Sequence, residues 1–244
     1  MEQFHNKYYN HNVNWSNIIR EIYKDKYNYT DNLENIHELL ESDLISNENK
    51  EYYNEIPIFG QNDRKSFLVK DFHNYYDSND IIKNTYQKFI VDYIKPIFNN
   101  EKIVYQTTPN IRFHLPNCTN IGKRNSDPSD EIIGLHRDNE FGHPSSELNV
   151  IIPITDMLDS NSIFFNNVDN SLDINNFNNL KLKKNQFFTG YFNNVLHYNK
   201  INTTNKTRVS FDFRVIPYNL YEKTSNKSTT FNKKFITGDY YSII

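Results

Sequence analysis

Near residue 103 the spacing of apolar residues changes from three or four to two, and this switch constrains the fold more than any other feature of the chain. Upstream, "NWSNIIREIYKDKY" sets Trp15, Ile18, Ile19 and Ile22 on one helical face, within a helical region spanning residues 13–55. "NDIIKNTYQKFIVDYIKPIF" does the same with Ile82, Tyr86, Phe89, Ile90, Tyr93 and Ile97. Asn79 or Asp80 is placed to cap that second segment, and Pro96 should kink or close it, because proline lacks the N–H a helix needs. Downstream come short runs of β character, among them "KIVYQTT", "NIRFHL", "ELNVIIPI", "SIFFNNV", "NQFFTGYF" and "TRVSFDFRVIP", separated by Asn, Asp, Gly and Pro. The expectation is an α+β fold in one domain: a mainly helical support region over residues 1–100 against an antiparallel sandwich or barrel over 103–218, with 219–244 as a C-terminal extension. The Asn-rich stretch from Asn166 to Asn179 reads as a surface insertion.

Composition removes several function classes. A net charge of −3 and a pI near 6.2 leave no electrostatic footprint for nucleic acid. No run of 18 apolar residues is present to span a membrane. The opening "MEQFHNKYYNHNVNW" lacks the basic-then-apolar pattern of a secretory signal, so a cytoplasmic location is expected. Cys118 is the sole cysteine, which excludes an internal disulfide and a thiolate metal cluster. A mean hydropathy of −0.78 would suit disorder, but 18 Tyr and 18 Phe spread along the chain are core material.

Chemistry concentrates in "GLHRDNEFGHPSSELNVIIPI", residues 134–154. His136 and Asp138, in His-x-Asp form, fall on one side of an extended backbone and suit two ligands of one metal. A surface turn explains that tripeptide equally well, since so short a motif arises often by chance. The continuation decides between them: an apolar run, Gly190, then His197 supplies a second imidazole. Two His and one carboxylate make the facial triad that leaves positions open on Fe(II), whereas Mg²⁺ sites do not use two imidazoles. In "TRVSFDFRV", Val209, Phe211, Phe213 and Val215 alternate with Arg208, Ser210, Asp212 and Arg214. Such a strand has either a solvated polar face or a polar face lining the inside of a barrel. In the second arrangement Arg208 offers a planar fork to a carboxylate and Ser210 a further hydrogen bond, so a dicarboxylate held there by one end could chelate iron with the other.

His136-x-Asp138, His197 and an Arg208-x-Ser210 eleven residues later resemble the Fe(II)/2-oxoglutarate-dependent oxygenases. "LHRDNEFGHPSSELNVIIP" and "NIRFHLPN" are similar to the branch named after the streptomycin-biosynthesis protein StrG; the likeness covers residues 103–218. It implies a double-stranded β-helix (a cupin-like jelly roll), with His136, Asp138 and His197 as iron ligands and Arg208 with Ser210 on the distal carboxylate of 2-oxoglutarate. O2 is then the oxidant, and the activity is hydroxylation of a substrate with release of succinate and CO2. Asp138 sets the chain apart from related halogenases, which leave that position vacant for chloride.

Other residues carry open alternatives. His143 is a further ligand, a substrate contact or a loop residue. Glu147 and Asn149 share one face of a strand beside the triad, with Asn149 directed at co-substrate or substrate. Arg112 and His114 likewise share a face, forming an anion site if it points inward and a solvated edge if outward. The acids and amides Glu140, Glu147 and Asn149 suit a small polar metabolite bearing an amine or guanidine. A non-catalytic cupin-like binding module and a protein or peptide hydroxylase are the competing functions; oligomeric state is not legible.

Overall fold

Asn14 accepts a hydrogen bond from the Asn17 N–H and starts α1, Trp15–Tyr27, which ends where Asn28 turns left-handed (φ 53°). The computed structural model describes residues 6–51, 66–118, 133–166, 173–228 and 231–244. A 3-10 helix, Leu33–Glu41, follows α1, then α2, Phe67–Ser78, and α3, Asp80–Phe89. Asn79 caps α3 through the N–H groups of Ile81 and Ile82, as its position in the sequence suggests. Pro96 stands in the turn that closes this helical segment, again as its position in the sequence suggests. The backbone widens into a π turn over Ile90–Ile94, tightens to 3-10 over Lys95–Phe98 and stops at left-handed Asn99. The change of pitch accommodates the ring, which an unbroken α-helix would press against the fourth carbonyl back.

Eleven strands form two antiparallel sheets among the described residues. They are β1 Lys7–Asn10, β2 Ile103–Gln106, β3 Asn110–His114, β4 Ile133–His136, β5 Leu148–Pro153, β6 Ile163–Asn166, β7 Phe177–Asn179, β8 Gln186–Gly190, β9 His197–Asn199, β10 Arg208–Pro217 and β11 Tyr241–Ile243. The larger sheet runs β1-β8-β5-β10-β2-β11, with β3 also paired to β10; the smaller runs β4-β9-β6-β7. Three strands lie in regions where the sequence pattern announces none. The N-terminal region is not only helical, since β1 pairs with β8. The C-terminal extension returns to the sheet, β11 pairing with β2. Of the Asn-rich stretch, residues 167–172 lie outside the described residues, and Phe177–Asn179 is an edge strand paired with β6.

Strand β10 is the wall between core and cavity. Its Val209, Phe211, Phe213 and Val215 are buried against the helices: Trp15 meets the Phe211 ring edge-on at 5.1 Å and Tyr86 meets Phe213 at 5.2 Å. Each such fully buried side chain contributes about 1.5–3 kcal/mol. Ile111 and Phe113 of β3 and Val150 and Ile152 of β5 join the same cluster. The period of two then sends Arg208, Ser210, Asp212, Arg214, Arg112 and Asn149 to the opposite face, toward the smaller sheet. There a second apolar cluster, including Ile151, Phe165, Phe188 and Phe192, packs between the sheets.

Candidate active site

The cleft between the sheets holds about 490 Å³ of empty space, counting the part open to solvent. His136, Asp138, His197, Asn149, Arg112, Arg208, Ser210, Asp212 and Arg214 line it together with Ile151, Ile163, Phe192 and Asn199.

His136 and His197 face each other as partners across the β4–β9 ladder, with ring centroids 4.2 Å apart. A register shift between Ile133 and His136 brings them together, and Gly134 sits in that bulge at φ 69°, a conformation glycine adopts without strain. The turned Gly134 carbonyl accepts from His136 Nδ1; the Val195 carbonyl accepts from His197 Nδ1 at 2.9 Å. A carbonyl can only accept, so both Nδ1 atoms carry protons and Nε2 is the ring nitrogen left to face Asp138. Asp138 enters from the start of a short 3-10 turn, whose Asp138 and Asn139 N–H groups bond the Phe192 and Asn193 carbonyls next to β9. Its Oδ1 lies 3.7 Å from His136 Nε2 and 3.6 Å from His197 Nε2, and one ligand atom from each residue falls within 4.8 Å of the others.

The carboxylate is divided between two tasks. Oδ2 accepts from Asn149 Nδ2 at 2.7 Å and from Arg214 Nη2 at 2.7 Å, leaving Oδ1 toward the imidazoles. Burial alone would raise the Asp138 pKa, but Arg214 and then the surrounding histidines outweigh it and hold the carboxyl well below the usual range. Burial would likewise lower the Arg214 pKa, and Asp212 and Asp138 more than compensate, so the guanidinium stays charged. Arg214 also donates to Asp212 and lies 3.9 Å through Nε from Glu147. One guanidinium therefore contacts three carboxylates, while Arg112 also approaches Asp212 and Arg208 is buried in the same cleft. Two imidazoles and one carboxylate, each with a ligand atom turned to the same point, are a donor set consistent with Fe(II), 2-oxoglutarate and O2.

The remaining candidates fall into two groups. Arg208, fully buried, and Ser210 line the cleft on β10; Arg112 lines it on β3, 3.5 Å from Asp212. The others do not meet there. The His114 ring is buried with Nδ1 3.2 Å from the Asn161 carbonyl and Nε2 3.0 Å from that of Cys118. Those two acceptors favour a protonated ring, yet burial, then Arg208, pushes its pKa down to about 3. Glu147 is fully buried, accepting from the Tyr241 hydroxyl and from His143 Nδ1 at 2.7 Å, and Glu140 is exposed. Neither acid lines the cleft. Sequence reasoning missed Arg214 as a partner of Asp138; its place on the inward face of β10 is a signal, but Asp138 is 76 residues away.

No protein-family model matches the chain. It is 27% identical over 170 residues to the streptomycin biosynthesis protein StrG of Streptomyces griseus, covering 70% of this chain and 74% of that protein. Among solved structures, a nickel complex of the non-heme monooxygenase ThoJ superposes with a TM-score of 0.40 at 14% identity, over 58% of this chain and 56% of that one, little more than half its length. SnoN, a non-heme α-ketoglutarate-dependent epimerase from nogalamycin biosynthesis, gives 0.40 at 11% identity over 67% and 73%. HygX from Streptomyces hygroscopicus, with nickel and 2-oxoglutarate bound, gives 0.34 at 9% over 76% and 93%.

Proposed function

We propose that this chain is an Fe(II)- and 2-oxoglutarate-dependent dioxygenase on a double-stranded β-helix, hydroxylating a small polar metabolite with release of succinate and CO2. The observation that carries this reading is the convergence of His136 Nε2, Asp138 Oδ1 and His197 Nε2 in a cleft that also presents Arg208 and Ser210. Iron, when bound, would supply the activation of O2 and the oxidative decarboxylation of the co-substrate. The protein's own residues then have separable roles. Arg208 takes the distal carboxylate of 2-oxoglutarate in a bidentate contact, with Ser210 donating beside it. Asn149 and Arg214 hold Asp138 so that it offers a single oxygen. Ile151, Ile163 and Phe192 give the cleft an apolar wall that keeps water from the reacting centre. Similarity to a streptomycin-pathway protein supports a small polar substrate. Glu147 is not available to read a cationic group, being engaged by Tyr241 and His143. Among the described residues the carboxylates in the lining are Asp138 and Asp212, and Asp212 is itself paired with Arg214 and near Arg112.

The test is anaerobic addition of Fe(II) and 2-oxoglutarate, then O2 and a metabolite panel, with succinate as the readout. Release that depends on iron, on O2 and on one class of small polar compound is the expected result. Tight binding of a sugar or anion with no succinate under any condition would favour a binding module instead. His136→Ala, Asp138→Ala and His197→Ala should each abolish tight Fe(II) binding, and undiminished binding in two of the three would remove the triad assignment.

A further inference from the structure

Beyond the cleft, a line of polar contacts leads from the metal-ligand carboxylate to the other end of the chain. Asp138 Oδ2 accepts from Arg214 Nη2 at 2.7 Å, and the Nε of the same guanidinium lies 3.9 Å from Glu147 Oε2, an electrostatic contact longer than a hydrogen bond. Glu147 Oε2 accepts from His143 Nδ1, and its Oε1 from the Tyr241 hydroxyl. Tyr241 belongs to β11, which pairs with β2, Tyr241 opposite Gln106. Glu147 and Tyr241 are both fully buried, and the intervening guanidinium side chain is 6% exposed. In surroundings so poor in water, a change of charge or of position at one member is screened little before the next.

We infer that Tyr241 and Glu147 are positioning residues of the metal centre: β11 sets the Asp138 carboxylate through Glu147 and Arg214. The physical basis is competition for one guanidinium. Glu147, neutralised in part by the Tyr241 and His143 donors, draws weakly on Arg214 and leaves its Nη2 edge to Asp138. Without the Tyr241 hydroxyl, Glu147 lacks one donor and pulls harder on Arg214 Nε, tilting the planar fork and changing how Asp138 presents Oδ1. The inference rests on the proposed metal site, and its test separates the two.

Co(II) serves as the probe, titrated anaerobically against the full chain, with its visible absorption reporting ligand geometry. The variants are Tyr241→Phe, Glu147→Gln and, as a control, Val104→Ala, which sits in the same apolar cluster as Tyr241 away from the polar line. Circular dichroism confirms folding of each. Tyr241→Phe, which strengthens the pull of Glu147, should weaken Co(II) binding by about tenfold, the lower end for outer partners of a metal ligand, and shift the absorption bands, whereas Glu147→Gln, which removes the pull, should shift the bands in the opposite sense. Val104→Ala should do neither. The double variant should lose no more than the worse single variant, because both act along one line. Wild-type affinity and an unshifted spectrum in both single variants would overturn the inference while leaving the metal site standing. So would an equal loss in Val104→Ala. A wild-type chain that binds no Co(II) would bring down the metal site and the inference together.

Discussion

Arg214 Nη2 lies 2.7 Å from Asp138 Oδ2, joining a ten-residue strand to a turn 76 positions earlier in the chain. Both side chains are 6% exposed, so the pair is a buried one, and removing one partner leaves the other charge without compensation. Arg214→Ala should therefore destabilise the metal-free protein by about 3–5 kcal/mol. Added Co(II) should recover part of that loss by supplying positive charge to the same carboxylate. Urea unfolding with and without the metal checks both statements, and a loss under 1 kcal/mol in the metal-free protein contradicts the assignment.

Arg208→Ala should weaken 2-oxoglutarate binding by more than tenfold, on the order of 1.5–3 kcal/mol, if it removes the charge-assisted bidentate contact proposed above. Arg208→Lys should recover only part, since an ammonium cannot reproduce the fork. Calorimetry with Co(II) in place of iron measures both, and equal affinity in wild type and Arg208→Ala would transfer the carboxylate to Arg112 or Arg214.

His114 predicts a pH dependence. Burial, with Arg208 adding to it, lowers its pKa in the folded protein from 6.5 to about 3. The unfolded chain therefore takes up the proton first, and stability falls as pH drops from about 6.5 toward 3. Between pH 7 and 4.5 the wild type should lose on the order of 2 kcal/mol more than His114→Gln, which has no proton to take up. Chemical denaturation at the two pH values gives the difference; parallel losses would show that the folded ring takes up its proton as readily as the unfolded chain does.

Gly134→Ala places an L side chain at φ 69° in the bulge that turns a carbonyl toward His136 Nδ1. A destabilisation of about 1–2 kcal/mol is expected from the backbone alone. The same change should weaken Co(II) binding, because His136 loses the acceptor that fixes its tautomer. Intact metal affinity with lowered stability would mean that the carbonyl does not orient the ring.

The helices and the alternation of β10 were legible because each depends on residues close in sequence. Asn79 as a cap, the Trp15–Ile22 face and the Val209/Phe211/Phe213/Val215 set all follow from local spacing. The strands β1 and β7 were not legible: "KYYN" and "FNN" carry no buried periodicity, and edge strands are held by backbone pairing that side chains do not announce. Of the site, His136, Asp138, His197, Arg208 and Ser210 stand out by residue type and order. The contact of Glu147 with Tyr241 did not, because the two lie 94 residues apart and no spacing rule connects them. That distance is why Glu147 looked like a substrate contact when read beside its sequence neighbours.

Because β10 presents phenylalanines to the helices and arginines to the cleft from alternate positions, sliding it by a single residue would exchange the two sets completely. Charged side chains would then be driven among aromatic rings, and aromatic rings into the cleft. An insertion or deletion between Arg208 and Val215 thus cannot trade activity against stability in small steps. The stretch admits substitution within each alternate set but no change of length, and variation in loop length must accumulate elsewhere in the chain.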